Sequence, residues 1–549
     1  MTTAATPAAP TARRVPEAIH RRRWAILTFL LFSLLVVVLD SSILNVAMKT
    51  IATPAPVGIG ASQSQLEWAV NSYTLVFAGL LFTAGLLGDR IGRKKTLLIG
   101  MVIFGAGSLL CSFATSPAEL IGYRAAMGLG GAFVMPATLA IIMNVFERDE
   151  QPRAIGIYSG AVGLAIAIGP VVGGLLLAHF WWGSVFLINV PLTAVGVVAI
   201  LLLVPESRNP SPGRIDYVGV LTSIAGLVLL VYGIIQGGEK GSWIHWDVLG
   251  TSALGLAVLV AFGWYESRLS HPSLDVKLFR DPRLSSAVAA LALVFFGMMG
   301  AFFFLSFYLQ GVRGYSPLYA GLLTLPFAAG QMLMAPRSAK LVGRYGAKAV
   351  GASGLLLVAI ALAGYQTLGT TTPIWVLGVV FFVQGAGMGA VMPSATEAVM
   401  SVVPRERAGS GSALTNTARQ VAGALGVAVL GSILAQAYRG QLSPHLAALP
   451  VAARNAATGS ITATQTVASR LGSAGVRLDG FADSAFVHAM HVTTLVSAVI
   501  TLAGALVVLI WMPGRAARAP QPVAIGAEPQ ADVAVLVEAD EGVSAAMEA

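Results

Sequence analysis

Long apolar runs alternate with short polar segments along most of the chain. A helix needs about 20 mostly apolar residues to cross a lipid bilayer, and the runs have roughly this length. They predict fourteen spanning helices, over residues 24–48, 65–87, 97–114, 119–145, 154–178, 185–204, 216–237, 247–266, 284–310, 317–340, 349–369, 374–400, 409–436 and 486–512. Because lipid offers no hydrogen bonds to the backbone, this pattern predicts an all-α membrane protein.

Composition supports the same class. Hydrophobic residues make up 56% of the 549 residues and charged residues only 11%, whereas soluble domains carry roughly 25% charged residues. The net charge of +9 could indicate nucleic-acid binding. The basic residues, however, fall in short clusters between apolar runs, so we expect the lipid bilayer as partner and no nucleic acid. The single cysteine, Cys111, allows no disulfide within the chain.

The Lys and Arg residues predict the orientation of the helices. With the N-terminus inside, 25 of the 34 Lys and Arg residues fall in inside segments and seven in outside segments. Arg124 and Arg419 are the remaining two and lie within predicted helices. Because cytoplasmic loops carry the excess of Lys and Arg, we expect a multi-pass protein of the cell membrane with both termini in the cytoplasm.

Two segments recur along the chain in the same order. Residues 128–136, GLGGAFVMP, return at 385–393 as GAGMGAVMP, and LLGDRIGRKK at 86–95 has a fainter copy at 341–350. An even number of predicted helices separates each pair, so the copies have one orientation. Parallel repeats of this kind form the two halves of certain secondary transporters, with the substrate bound between them.

The repeat divides the chain into two six-helix bundles with an inserted helix pair. The predicted parts are a disordered cytoplasmic tail (1–23), the N-terminal bundle (24–204), helices 7 and 8 with their loops (205–283), the C-terminal bundle (284–512) with a long outer loop (437–485), and a second disordered tail (513–549).

A basic, glycine-rich loop follows the second predicted helix. Glycines allow a sharp turn and close helix approach, and an acid here can accept hydrogen bonds from an arginine or a helix N-terminus. A plain cytoplasmic loop would need no such pattern, so we predict a functional loop formed by Gly85, Gly88, Asp89, Arg90, Gly92, Arg93 and Lys94.

This loop resembles the signature loop of the major facilitator superfamily, and the resemblance implies that it is a gating loop for the change between inward- and outward-open states. Other segments extend the resemblance to the family's fourteen-helix drug:proton antiporters. Helix 5 carries a motif similar to the family's antiporter motif, with Gly169, Pro170, Gly173 and Gly174. Asp40 and Asn45 match the first-helix motif, Arg124 matches the fourth-helix motif, and FLINVP at 186–191 also fits. The resemblance implies the major facilitator fold and export of hydrophobic compounds in exchange for protons.

Ionisable residues within spanning helices are costly and usually functional. Two acids and two bases lie well inside predicted helices: Asp40, Glu397, Arg124 and Arg419. Asp40 and Arg124 lie at similar depths, and Glu397 and Arg419 lie on consecutive helices, so each acid could pair with one base. We predict that these four residues take part in proton coupling; structural ion pairs are the alternative.

The remaining candidates concern the substrate. Asn45, Phe303, Phe307, Gln310 and Gln331 could line a mostly apolar cavity, although lipid or helix contacts would suit the phenylalanines equally. We expect no metal site and no cofactor. The chain also contains no Gly-x-x-x-x-Gly-Lys-[Ser/Thr] loop for ATP, so a proton gradient is the expected energy source and no enzyme activity is expected.

Three other functions remain open on the sequence alone. The protein could export one endogenous metabolite or antibiotic, act as a transport-inactive membrane sensor, or take up substrate together with protons. The Gly169-Pro170 segment disfavours uptake, because the resemblance assigns it to exporters. Substrate identity, proton stoichiometry and oligomeric state are left open.

Overall fold

A computed structural model describes residues 17–147, 150–208, 216–269, 276–402, 408–447 and 449–513. In these residues, 14 helical segments are long and apolar enough to cross a membrane, which confirms the predicted all-α membrane fold. The helices are α1 (Glu17–Ala52), α2 (Gln63–Ile91), α3 (Arg93–Ser112), α4 (Pro117–Val145), α5 (Gln151–His179), α6 (Ser184–Leu187), α7 (Asn189–Leu203), α8 (Tyr217–Lys240), α9 (Trp246–Arg268), α10 (Pro282–Ser306), α11 (Pro317–Leu322), α12 (Leu325–Tyr345), α13 (Ala347–Gly364), α14 (Ile374–Val402), α15 (Ala408–Leu442), α16 (Val451–Ala457), α17 (Ile461–Ala468) and α18 (Ser473–Trp511). Helices α6 and α7 together form one crossing, as do α11 and α12.

The first helix begins earlier than the sequence suggests. It starts at Glu17, so the prediction that the whole of 1–23 is disordered is wrong for residues 17–23. Charge pairs favour the helical extension: Glu17 accepts a 2.6 Å hydrogen bond from Arg21 one turn later, and Arg23 pairs with Glu150 at 2.8 Å. Residues 1–16 and 514–549 of the two predicted tails lie outside the described residues.

The internal repeat is visible in the backbone. Gly92 ends α2 and begins α3 with φ +117°, and Gly346 joins α12 to α13 with φ +86°. Residues other than glycine rarely adopt such positive φ values, so both turns favour glycine. We call the end of the helices at which Gly92 and Gly346 lie the basic end, after the Arg and Lys residues beside Gly92, and the opposite end the far end.

The two halves of the repeat meet at the far end. Lys49 of α1 donates a 2.8 Å hydrogen bond from Nζ to the carbonyl of Gln310, in the π-helical turn after α10. Gln310 returns a 2.8 Å bond from its side-chain amide to the carbonyl of Val46, and Ser306 donates to the same carbonyl at 3.2 Å. These bonds join the α1 backbone to α10.

Helix α8 packs against α9 on one side and, on the other, against α2 and α15 where the two halves make a second line of contact. Leu75 of α2, Val231 of α8 and Ala424 and Ala428 of α15 belong to one buried cluster. The α2–α15 seam, which we define as the contact between these two helices, is therefore covered on one side by α8.

The predicted outer loop 437–485 is largely helical. It contains the end of α15, the short helices α16 and α17 and the first turns of α18, which begins at Ser473 rather than near residue 486. Gln465 of α17 donates a 3.1 Å hydrogen bond to the carbonyl of Gly311, and the Tyr438 and Thr464 hydroxyls share a 2.7 Å bond. The segment thus packs onto the far end of the C-terminal half.

Candidate functional site

Asp40 and Arg124 form a buried ion pair between α1 and α4. Each side chain is about 1% exposed, and Arg124 Nη1 donates to Asp40 Oδ2. Arg124 also donates from Nε to the carbonyl of Ala69 at 3.2 Å and lies over the Tyr73 ring at 4.4 Å. The contact expected from the similar depths of Asp40 and Arg124 is therefore present, whereas their part in proton coupling stays a prediction.

Asn189 completes the surroundings of the Asp40 carboxylate. Its side-chain Nδ2 donates to Asp40 Oδ1 and to the Ser108 hydroxyl, each at 3.0 Å. Ser108 in turn donates to the carbonyl of Phe186 at 2.8 Å. Both carboxylate oxygens are thus hydrogen-bonded, one to a cation and the other to an amide.

The sequence analysis did not select Asn189 or Ser108. Asn189 lies within the FLINVP motif, which was the one signal that could have found it. Neither side chain is charged, so neither carries the desolvation cost that singles out ionisable residues in lipid. Buried polar groups that hydrogen-bond an ion are required for a buried charge pair to be stable.

The predicted pair of Glu397 and Arg419 is not formed in the described part of the chain. Glu397 lies on an exposed side of α14, while its neighbours Ala395 and Ala398 are buried. Arg419 of α15 instead lies over the Phe295 ring at 4.5 Å and donates to Asn416 Oδ1 at 3.3 Å. Their positions on consecutive helices are therefore not sufficient to bring the two side chains together.

The predicted pocket residues are mostly packed in this conformation. Phe303 and Phe307 are buried in the main hydrophobic core, with their ring centroids 6.2 Å apart. Gln310 is buried and binds Val46. The expectation that these three side chains line a cavity is thus not met in this conformation. The two halves are in contact at the far end, and the three side chains are packed there. Asn45 and Gln331 are half-buried.

The predicted gating loop is held at the basic end by a compact set of hydrogen bonds. Asp89 accepts from Arg93 Nη2 at 2.9 Å and from Nε at 3.0 Å. Arg93 also donates to the carbonyl of Ala140 on α4 at 3.2 Å. Asp89 and Arg93 therefore connect the turn between α2 and α3 to α4.

Glu206, which the sequence analysis did not select, binds the other side of this turn. Its Oε1 accepts from the backbone N–H of Lys94 at 3.2 Å and of Ser207 at 3.0 Å. A carboxylate at the first turn of α3 is favoured by the positive end of the helix dipole. A Cβ on Gly92 would lie 2.5 Å from Glu206 Oε1, so the glycine makes room for this contact.

The other members of the loop lie around this turn. Lys94 Nζ donates to the carbonyl of Leu201 at 2.8 Å. Gly88 faces the Thr96 side chain and Gly85 faces Pro136, both at ordinary contact distance. Arg90 is exposed.

The glycines of the predicted antiporter helix lie on two faces of α5 and allow close contact with a different helix on each face. A Cβ on Gly169 would overlap the Ser42 side chain, and one on Gly173 would lie 3.1 Å from Ile43, so these two residues admit α1. A Cβ on Gly174 would lie 2.5 Å from the Pro317 carbonyl oxygen. The carbonyl of Pro170 similarly lies against Gly321 of α11.

The α11-facing side of α5 opens toward the basic end. Gly163 and Gly156 lie seven and fourteen residues before Pro170, and residues seven apart share one helix face. A Cβ on Gly156, Gly160 or Gly163 would meet nothing within 4 Å. Along α5 the two halves are therefore in contact at the far end, whereas these three glycines toward the basic end have open space beside them.

Comparison with known proteins places this geometry in a family. Residues 30–427 match the profile described as Major Facilitator Superfamily. The chain is 34% identical over 420 residues to the Tetracenomycin C resistance and export protein of Streptomyces glaucescens, covering 76% of this chain and 77% of that protein. It is 33% identical over 501 residues to the Multidrug efflux pump LfrA of Mycolicibacterium smegmatis, covering 91% and 97%.

Solved structures share the fold. A bacterial homolog of the human lysosomal transporter Spinster, in an inward-facing and unoccupied conformation, aligns with TM-score 0.61 and 18% identity, over 90% of this chain and 99% of that one. A POT family transporter in complex with 5-aminolevulinic acid aligns with TM-score 0.58 and 14% identity, over 89% and 96%. At these identities the match concerns the fold alone.

Proposed function

We propose that this chain, which belongs to the major facilitator superfamily, exports hydrophobic small molecules from the cell in exchange for protons. Relatives that are at least 33% identical over three quarters of the chain or more are named as drug or antibiotic exporters, among them LfrA and the tetracenomycin C exporter. The chain is a multi-pass membrane transporter by family and fold; proton exchange and the substrate class are the proposed part.

The buried Asp40–Arg124 pair is the observation that carries proton exchange. An ionisable side chain within a membrane helix is expensive and usually lines an ion or proton pathway. A proton on Asp40 would remove the negative charge that Arg124 neutralises and free the guanidinium from its partner. Because Asp40 joins α1 to α4 through Arg124 and to α7 through Asn189, its protonation would change how three helices of one half are held together.

We assign the basic end to the cytoplasm and the far end to the outside. The excess of Lys and Arg in the segments at the basic end supports this orientation, and it places both termini in the cytoplasm. The open space beside Gly156 and Gly163 then supports a state open to the cytoplasm. An exporter in that state would load its substrate.

Everted membrane vesicles with an acidic interior test the proposal. Addition of a transported dye or antibiotic should dissipate the proton gradient in vesicles that contain the wild-type protein. Asp40→Asn should abolish the dissipation, because the amide cannot exchange a proton. Asp247→Asn makes the same chemical change in an ion pair with Lys240 that is one-third exposed and should behave as the wild type.

The result for Asp40→Asn is decisive only when the variant is inserted in the membrane. If Asp40→Asn is present in the membrane at the wild-type level and still couples export to proton entry, Asp40 is not the coupling residue. If the wild type moves no proton with any of a broad set of dyes and antibiotics, proton-coupled export fails as a whole.

Export of a single compound, a narrower function, is supported by the names of two relatives. The tetracenomycin C exporter and the Probable actinorhodin transporter of Streptomyces coelicolor, 33% identical over 429 residues, carry the names of single compounds. Export of one endogenous metabolite would give resistance to that compound and its near analogues alone. A susceptibility panel with and without the gene separates this result from resistance to unrelated dyes and antibiotics.

A further inference from the structure

A second buried carboxyl lies away from Asp40, at the α2–α15 seam. Glu67 is about 1% exposed and packs directly onto α15, where a Cβ on Gly431 would lie 2.7 Å from its carboxyl carbon. The sequence analysis did not select Glu67, which is the third residue of the predicted span 65–87. The structure buries it at a junction between the two halves of the transporter.

Glu67 lacks a direct ion-pair partner among the described residues. In the described part of the chain it forms no ion pair within 4 Å, and its closest polar contact is a 3.5 Å hydrogen bond from the Gln63 amide. The charged groups within electrostatic range are Glu239 of α8 and Arg439 of α15. Arg439 Nη1 donates to the carbonyl of Glu239 at 2.5 Å, and on the α4 side Arg124 is bound to Asp40.

Asn71 adds a second polar side chain to the same stripe of α2. It lies one turn after Glu67 and is fully buried, and among the described residues neither Nδ2 nor Oδ1 has a hydrogen-bond partner. Leu75, one further turn along, packs against Ala424 and Ala428 of α15. Residues four apart share a helix face, so Glu67 and Asn71 both lie on the face of α2 that meets α15.

This arrangement favours the neutral acid while the seam is closed. Removing a carboxylate from water without a partner costs several kcal/mol, and such groups usually take up a proton instead. Glu67 lies only one turn from the start of α2 at the far end. Separation of α2 from α15 at that end would therefore return the carboxyl to water, where glutamic acid ionises near pH 4.3.

We propose that Glu67 is a second proton-binding residue, and that the α2–α15 seam closes at the far end only when Glu67 carries a proton. On closure the carboxylate takes one proton from water at the far end, and on opening it returns one proton to the same side. Acid at the far end thus favours the conformation described here. The assignment of the far end to the outside of the cell rests on the proposed function.

A cysteine reporter at the far end tests the proposal without any measurement of export. Ser306, which is buried at the α1–α10 contact, is replaced by cysteine in a Cys111→Ser background, and maleimide labelling is followed in nanodiscs at about pH 5 and about pH 8. Val57, exposed in the far-end loop, is replaced by cysteine as the matched control. Its rate corrects for the pH dependence of thiol reactivity.

With Glu67 present, the corrected labelling rate at Ser306→Cys should be at least about fivefold higher at the higher pH, a coupling at the lower end of the usual range. Glu67→Gln should label slowly at both pH values, because its neutral amide closes the seam without a proton. Glu67→Asp retains a carboxyl and should restore part of the pH dependence.

Two results would overturn the proposal: Glu67→Gln with the wild-type pH ratio, or Glu67→Gln with rapid labelling at both pH values. The labelling needs neither substrate nor gradient. Loss of pH dependence in Glu67→Gln would therefore support the proposal even if the vesicle experiment with Asp40→Asn excluded proton-coupled export.

Discussion

Asn189 donates a 3.0 Å hydrogen bond to Oδ1 of Asp40, and Arg124 binds the other oxygen of the same carboxylate. The acid is thus held by a neutral amide from α7 and by a cation from α4. The two partners differ in what happens on protonation: the amide can keep a hydrogen bond to a neutral acid, whereas the ion pair with Arg124 is lost.

Replacement of Asn189 tests the amide contact. Asn189→Ala leaves Asp40 Oδ1 and the Ser108 hydroxyl without a donor, and a hydrogen bond to a charged group contributes about 1.5–3 kcal/mol. We expect the midpoint temperature of unfolding in detergent to fall and the export rate to decrease. Asn455→Ala, at an exposed position of α16, serves as the control. Unchanged stability and export in Asn189→Ala would show that the amide contributes nothing to the pair.

Replacement of Gly174 tests closure along α5. In Gly174→Ala the new Cβ would lie 2.5 Å from the Pro317 carbonyl oxygen and 2.6 Å from Leu318 Cα, and these backbone atoms cannot turn aside as a side chain could. The far end should therefore open. Spin labels at the exposed positions His179 and Tyr319 should then be farther apart than in the wild type, as measured by double electron–electron resonance.

Gly163→Ala is the matched control on the same helix face, where a Cβ would meet nothing within 4 Å. Its distance distribution should equal that of the wild type. If Gly174→Ala gave the same distribution as Gly163→Ala, the contact between α5 and α11 would not govern closure.

Removal of the Glu206 carboxylate tests the turn at the basic end. In Glu206→Ala the backbone N–H groups of Lys94 and Ser207 lose their acceptor, and loss of such a helix-terminus contact destabilises by about 0.5–2 kcal/mol. Both amides should exchange with deuterium faster than in the wild type. Glu17→Ala, in an exposed pair with Arg21, should leave these amides unaffected. Equal protection in Glu206→Ala would mean that other contacts hold the turn.

The sequence determined the features that the bilayer enforces locally. Each crossing needs its own apolar run of sufficient length, so the fourteen spans could be found one at a time. The pairing of Asp40 with Arg124 could also be expected, because both are ionisable residues at similar depths in lipid and an unpaired charge there is unfavourable. Gly169, Pro170, Gly173 and Gly174 could be singled out as a motif.

Only the tertiary structure decided what depends on contacts between distant segments. Glu67 is buried by α15 and Glu206 reaches Gly92 across more than a hundred residues of chain, and neither contact leaves a local trace in the sequence. Glu397 lies on an exposed side of α14 without an ion pair to Arg419 in the described residues, and Phe303 and Phe307 are packed into the core. Helix rotation and bundle closure are set by side chains from many helices at once, so hydropathy and spacing along one segment cannot specify them.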